Sequence, residues 1–307
     1  MENKIIQKKE IQGRLKIVGK RVTLPRNIDF CIQDDTLYLT VKLQGVIKNM
    51  QEDCSAFEGW CICIKAVLPE VNHVVLSWEQ PANEVANLHY NRFLMRVASF
   101  LAEYSWFSID GKHTEEVRNV QNLLNGECLY VNYPKSEAKK VVDEKKKPEA
   151  YRERMEVKKL QDGGLLAGHQ LPVGLFDGKV SKSTSFTPRG ASQVDLWQVV
   201  DKTLRVFELK CKDNKKVGII SELMFYANTM YYLKEGLIRY PSDVAVAKDY
   251  RNFKELYQLI AGKLIDKIDA VFMVPELHSL FDAYKKGILE ILNDNKFGIR
   301  YYIEEIE

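Results

Sequence analysis

Between residues 12 and 80 the apolar positions come in short clusters: Arg14–Val18, Leu37–Leu43, Trp60–Val67 and Val74–Trp78. Turn-prone stretches such as Gln33-Asp34-Asp35 divide them. Along Leu37–Leu43 apolar and polar or amphipathic residues alternate, the period of two that puts one face of a strand on a core. The pattern predicts β-structure across this region, with Trp60–Val67 among its strands. Then the period changes. Phe93, Leu94, Val97, Phe100, Leu101 and Tyr104 recur three and four residues apart, which predicts an amphipathic helix over Leu88–Phe107 with its aromatic face inward. A shorter helix is expected over Thr114–Leu124.

Residues 135–149 hold ten charges, few apolar residues and Pro148. Such a stretch reads as a solvated connector, so the expected organisation is an N-terminal domain over 1–134 and a C-terminal domain over 150–307. The C-terminal half alternates in type. A helix over Tyr151–Leu160 precedes an extended stretch, Leu171–Phe176, and two strands, Gln193–Val200 and Thr203–Lys210. Helices over Ile219–Leu233 and Tyr250–Leu264 follow. Ile268–Pro275 is apolar almost throughout, as a strand buried on both faces requires. A helix over Leu277–Leu292 and a strand over Gly298–Ile303 complete the order. The expected fold class is α/β: a C-terminal mixed sheet flanked by helices, with a β-rich α+β N-terminal domain. No internal repeat is visible in the sequence.

Composition narrows the function classes. The chain has 307 residues, 46% hydrophobic and 28% charged, enough apolar surface for a core and too much for global disorder. No apolar run reaches the length that crosses a bilayer, and the start, Met1–Gln12, is too charged for a signal peptide. Six cysteines are scattered without a CxxC pair. A cytoplasmic chain with reduced thiols and no membrane partner is therefore expected. The net charge of +3 names no partner, although residues 1–28 carry eight Lys/Arg against Glu2 and Glu10.

One segment carries chemistry. From Gln193 to Lys210 the sequence reads as a hairpin turning at Asp201-Lys202, so that Val200 meets Thr203. Counting outward sets Asp195 opposite Glu208, on one face with Cβ atoms roughly 5 Å apart. Lys210, two residues past Glu208, shares that face. Two opposed carboxylates repel unless a positive group lies between them. Oxygen ligands without His or Cys favour Mg²⁺, with Mn²⁺ as its substitute. None of the five histidines has a metal-motif spacing.

Asp195-x12-Glu208-x-Lys210 resembles the PD-(D/E)XK nuclease superfamily, in which the Asp and Glu bind metal and the Lys assists catalysis. Val194 stands where the family usually has Pro. Glu222-Leu-Met-Phe-Tyr226 on the following helix is similar to the Q-x3-Y motif of RecB-type nucleases, with Glu222 in place of Gln and Tyr226 matching. The resemblance also implies a glutamate on the helix before the sheet. Glu153 and Glu156 are both candidates, and both stand among lysines and arginines, where surface pairing is the default.

The resemblance covers roughly residues 150–303 and implies a restriction-endonuclease-like fold. It implies hydrolysis of phosphodiester bonds in nucleic acid, with DNA the expected substrate, in restriction, defence or repair. Asp195, Glu208 and the Leu209 carbonyl would hold Mg²⁺, and Lys210 would orient water or offset charge at phosphorus. Many such nucleases act as dimers, so a homodimer stays open. The alternative is a catalytically inactive nucleic-acid-binding or scaffold protein of the same fold. Weaker features are the polar loop formed by Ser181–Ser185 and Thr187-Pro188-Arg189-Gly190, the lysines Lys212, Lys215 and Lys216, Cys61 with Cys63, and Trp60, Trp78 and Trp106 as stacking rings.

Overall fold

The computed structural model describes residues 5–82, 87–137, 144–188, 192–211 and 216–305, a mixed α/β arrangement with two five-stranded sheets. The first sheet takes its strands in chain order: Ile5–Gln7, Ile28–Gln33, Thr36–Val41, His73–Trp78 and Phe107–Ile109. Its first three strands are antiparallel and its last two join in parallel. Leu37, Leu39 and Val41 are buried on one face, as the alternation requires. Parallel pairing needs a crossover, and helices Phe57–Val67 and Leu88–Glu103 lie within the two crossovers. Asn87 caps the second, its Oδ1 accepting from the amides of His89 at 3.0 Å and Tyr90 at 3.2 Å.

Two expected strands are helices. Trp60–Val67 belongs to the helix Phe57–Val67, in which Phe57 and Trp60 to Ile64 are fully buried. A run apolar on every side carries no period that separates helix from strand. Arg14–Val18 closes the helix Lys8–Val18, whose buried residues Ile11 and Leu15 stand four apart. The N-terminal region is therefore a helix-and-sheet unit in which helix matches strand, and Cys61 and Cys63 sit on a helix.

The second sheet consists of Leu166–Pro172, Gln193–Val200, Thr203–Leu209, Lys267–Val274 and Arg300–Glu305. Again three antiparallel strands are followed by two in parallel, in chain order. The two sheets thus repeat one strand order that the sequence does not display. Their first connections differ: the helix Lys8–Val18 fills one, and a short strand Leu175–Asp177, paired with Leu129–Val131, lies in the other. The helix Pro148–Asp162 starts on proline, which tolerates the first turn. Its Val157 packs with Leu196, Phe207, Leu209, Val271 and Met273 on one face of the second sheet.

The chain forms two compact units that are discontinuous in sequence. One comprises Met1–Gln121, Asn214–Glu222 and Glu276–Phe297, the other Asn122–Asp213, Leu223–Pro275 and Gly298–Glu307. The described parts of the charged stretch, 135–137 and 144–149, lie within the span of the second unit. The returning segment explains the discontinuity: Leu277, Leu280, Phe281, Ile288 and Leu292 are all buried, and Tyr104 Oη donates to the Leu292 carbonyl at 3.0 Å within the first unit. The helix expected over Leu277–Leu292 is two, Ser279–Ala283 and Lys285–Asn293, separated by Tyr284 at φ −134° and ψ 37°. Among the described residues no helix is long and apolar enough to cross a membrane.

Candidate active site

The site is built on the hairpin of the second unit. Asp201 and Lys202 both take positive φ, 46° and 62°, the paired left-handed conformation of a two-residue turn whose twist suits the flanking strands. The pairs run from Val200 with Thr203 to Leu196 with Phe207. The pairs end there; continued by one step, the register would bring Asp195 abreast of Glu208. Leu196, Phe207 and Leu209 belong to the apolar cluster under the helix, so the intervening Asp195 and Glu208 share the opposite face. The next strand extends the row. His169 pairs with Leu196 and Leu171 with Val194, which sets Gln170 beside Asp195, at a positive φ of 48°.

Asp195 is half-buried and accepts on Oδ2 from the Leu209 amide at 2.8 Å. Glu208 is fully buried, and its carboxylate forms an ion pair with Lys210 Nζ. Lys210, buried in turn, also donates to Glu149 Oε1 at 3.3 Å. A buried charge pair of this kind needs further polar neighbours to persist, and the first turn of the helix Pro148–Asp162 supplies one.

That helix separates the two candidate glutamates. Glu153 is 5% exposed and accepts on Oε2 from Gln170 Nε2 at 3.0 Å. Burial pushes its carboxyl up to about 7; the Gln170 hydrogen bond opposes this, the Glu149 charge adds to it and Lys210 opposes it. Glu156 instead lies within 3.7 Å of Arg152 and 3.9 Å of Lys159 on the helix surface.

The structure places the other expected residues as follows. Glu222 is buried in the first unit, where Gln51 Nε2 donates to its carboxylate. Tyr226 is buried in the second unit, its ring edge-on to Phe225. Trp60 and Trp78 are core residues. Thr187 is fully buried, its hydroxyl accepting from the Leu175 amide, and Ser181 and Thr184 bond each other. Lys216 is paired with Glu52 at 2.9 Å. Arg189, Gly190, Lys212 and Lys215 lie outside the described residues.

Gln170 and Glu149 were not singled out by the sequence. Gln170 carries no motif, yet the hairpin parity that would bring Asp195 to Glu208 continues into the strand before it. Glu149 sits four residues before Glu153, the spacing of one helical face.

Among the described residues no group of three His, Cys, Asp or Glu side chains is arranged to hold a metal ion. The donor set here is two carboxylates across one hairpin, with a third glutamate whose carboxyl sits well above the usual range. Carboxylate oxygens are the donor type that Mg²⁺ takes; here the Glu208 carboxylate is paired with Lys210 Nζ and Asp195 Oδ2 with the Leu209 amide. Comparison of the chain with protein-family models, curated proteins and solved structures found no match.

Proposed function

We propose that the second unit is a Mg²⁺-dependent nuclease of restriction-endonuclease-like fold, hydrolysing phosphodiester bonds of nucleic acid, with DNA the expected substrate. The observation that supports this reading is the register of the hairpin, which runs to Leu196 opposite Phe207 and, continued by one step, would bring Asp195 beside Glu208, whose carboxylate Lys210 Nζ holds. Asp195 and Glu208 would hold the cation, together with the Leu209 carbonyl, and the Leu209 amide already fixes the orientation of Asp195. The cation supplies Lewis acidity toward a phosphoryl oxygen and water.

The chain's own groups do the rest. Lys210 brings a fixed positive charge toward the phosphoryl oxygens, where negative charge grows during in-line attack. Glu149 and Glu208 hold its ammonium in place. Glu153, with its carboxyl raised to about 7, gains or loses a proton on its carboxylate oxygens within the working pH range, which suits a group that accepts a proton from water. Gln170 Nε2 keeps that carboxylate aimed. A homodimer would supply the second site that cutting both strands of a duplex calls for.

The test is direct. Purified protein is incubated with supercoiled, linear and single-stranded DNA and with RNA, in Mg²⁺, Mn²⁺ or EDTA, beside Lys210→Ala. Divalent-dependent cleavage that Lys210→Ala loses is the expected result. Absence of both cleavage and calorimetric Mn²⁺ binding overturns the reading and leaves a non-catalytic nucleic-acid-binding or scaffold role.

A further inference from the structure

The first unit holds an open cavity of about 680 Å³ beside the turn that ends the helix Lys8–Val18. Lys20 and Arg21 line it from that turn, His278, Ser279 and Asp282 from the returning segment, and Asp53 from a third stretch of chain. Two of these walls are locked together by a glycine. A Cβ at Gly19 would lie 2.9 Å from both the Cα and the amide nitrogen of Leu280, so backbone meets backbone there and the cationic turn is fixed against His278–Leu280.

His278 is 9% exposed, its ring edge-on to Trp60 at 5.8 Å between centroids. Its Nδ1 accepts from the Leu280 amide at 3.3 Å. Burial lowers the imidazole to about 4, so the ring is neutral at ordinary pH and its one proton lies on Nε2. That N–H has no hydrogen-bond partner among the described residues, and Nε2 is not closed off from solvent. The cavity wall therefore carries a donor of fixed tautomer that the fold does not use.

The charges are arranged to match. Lys20 and Arg21 are exposed, and neither makes an ion pair among the described residues. The acids nearby are engaged: Asp282 Oδ1 lies 3.1 Å from Lys285 Nζ, and Asp53 Oδ1 accepts from the Gly218 amide at 3.3 Å. Two cations with a neutral donor suit a doubly charged tetrahedral anion better than a singly charged carboxylate. The volume falls among small-molecule sites, roughly 300–1,000 Å³, and a lone phosphate ion would leave most of it empty.

We propose that this cavity binds an organic phosphate, its phosphoryl group held by Lys20, Arg21 and the His278 Nε2–H, and hydroxyls on the rest of the molecule donating to Asp53. The cavity belongs to the first unit, so the inference stands apart from the nuclease reading of the second.

The experiment is calorimetric titration of the full chain in EDTA. The probes are adenosine monophosphate, glucose phosphate and inorganic phosphate, with adenosine and glucose as the parents that lack the phosphoryl group. At least one organic phosphate should bind, and its parent far more weakly. Arg21→Ala, an exposed position that leaves the fold intact, should weaken that binding by about tenfold or more, the worth of a hydrogen bond to a charged group. His278→Phe should do the same, and His278→Gln, which keeps an N–H donor, should recover part of the loss. A preference for the adenosine compound makes the ligand a nucleotide, and the reverse preference makes it a sugar phosphate. Unchanged affinity in both Arg21→Ala and folded His278→Phe overturns the proposal, as does equal affinity for a phosphate and its parent. Binding of inorganic phosphate alone, or of no phosphate at millimolar concentration, overturns it as well.

Discussion

The hairpins of the two sheets make an instructive pair. In the first, Asp29 is paired with Thr40 and Lys42 stands two residues further on. In the second, the continued register would set Asp195 abreast of Glu208, and Lys210 stands two further on. Both turn through two residues, Asp34-Asp35 and Asp201-Lys202, and both sheets add two parallel strands after the meander. The difference is one carboxylate and the water around it. Lys42 Nζ reaches Asp29 Oδ2 at 3.2 Å with side chains 42% and 58% exposed, whereas those of Lys210 and Glu208 are 7% and 1% exposed. A shared frame therefore makes no site. A second acid where Thr40 stands, and an environment dry enough to strengthen charge interactions, set the second hairpin apart.

The largest expected effect is on chemistry. Glu208→Gln should lower divalent-dependent cleavage at least about a hundredfold, while Thr40→Ala leaves it unchanged. An equal loss from both would break the contrast between the hairpins. Stability follows. Lys210→Met removes one partner of a buried ion pair and should cost about 3–5 kcal/mol in urea unfolding. A cost near zero would mean that Glu208 is solvated after all.

A pH series sharpens the same point. Folding retains a proton on Glu153 between its ordinary value of 4.5 and about 7, so the folded state binds more protons there than the unfolded one. Stability should fall as pH rises through that window, by about 3 kcal/mol at most. In EDTA, Glu153→Gln should flatten that slope, and an unchanged slope would remove Glu153 from the dry side of the comparison. The smallest effect belongs to the wet hairpin: Lys42→Ala should change stability by about 0–1 kcal/mol, measured by the same unfolding curves.

What the sequence made legible was local. The two-residue turn fixed parity, and parity alone brought Asp195 to Glu208. The three-four spacing at Leu88–Glu103 has one reading. Phe57–Val67 does not, because a segment buried all round erases its own period. Glu153 and Glu156 could not be told apart by spacing; they differ in surroundings, one buried beside Gln170 and one in surface ion pairs. Gln170 was invisible because its place depends on a strand pairing some twenty-five residues away. The shared strand order of the two sheets was invisible for the same reason, since pairing direction is a property of contacts and not of residues.

The discontinuous first unit has a consequence for birth on the ribosome. Its sheet is complete in sequence by Phe107–Ile109, yet Leu280, Phe281, Ile288 and Leu292 belong to the same unit and are made last. At about 5–20 residues per second, the early helices around Trp60 wait on the order of ten to forty seconds for that cover. Through that interval their apolar faces are open to holding chaperones, and a chain halted before residue 276 leaves them open permanently.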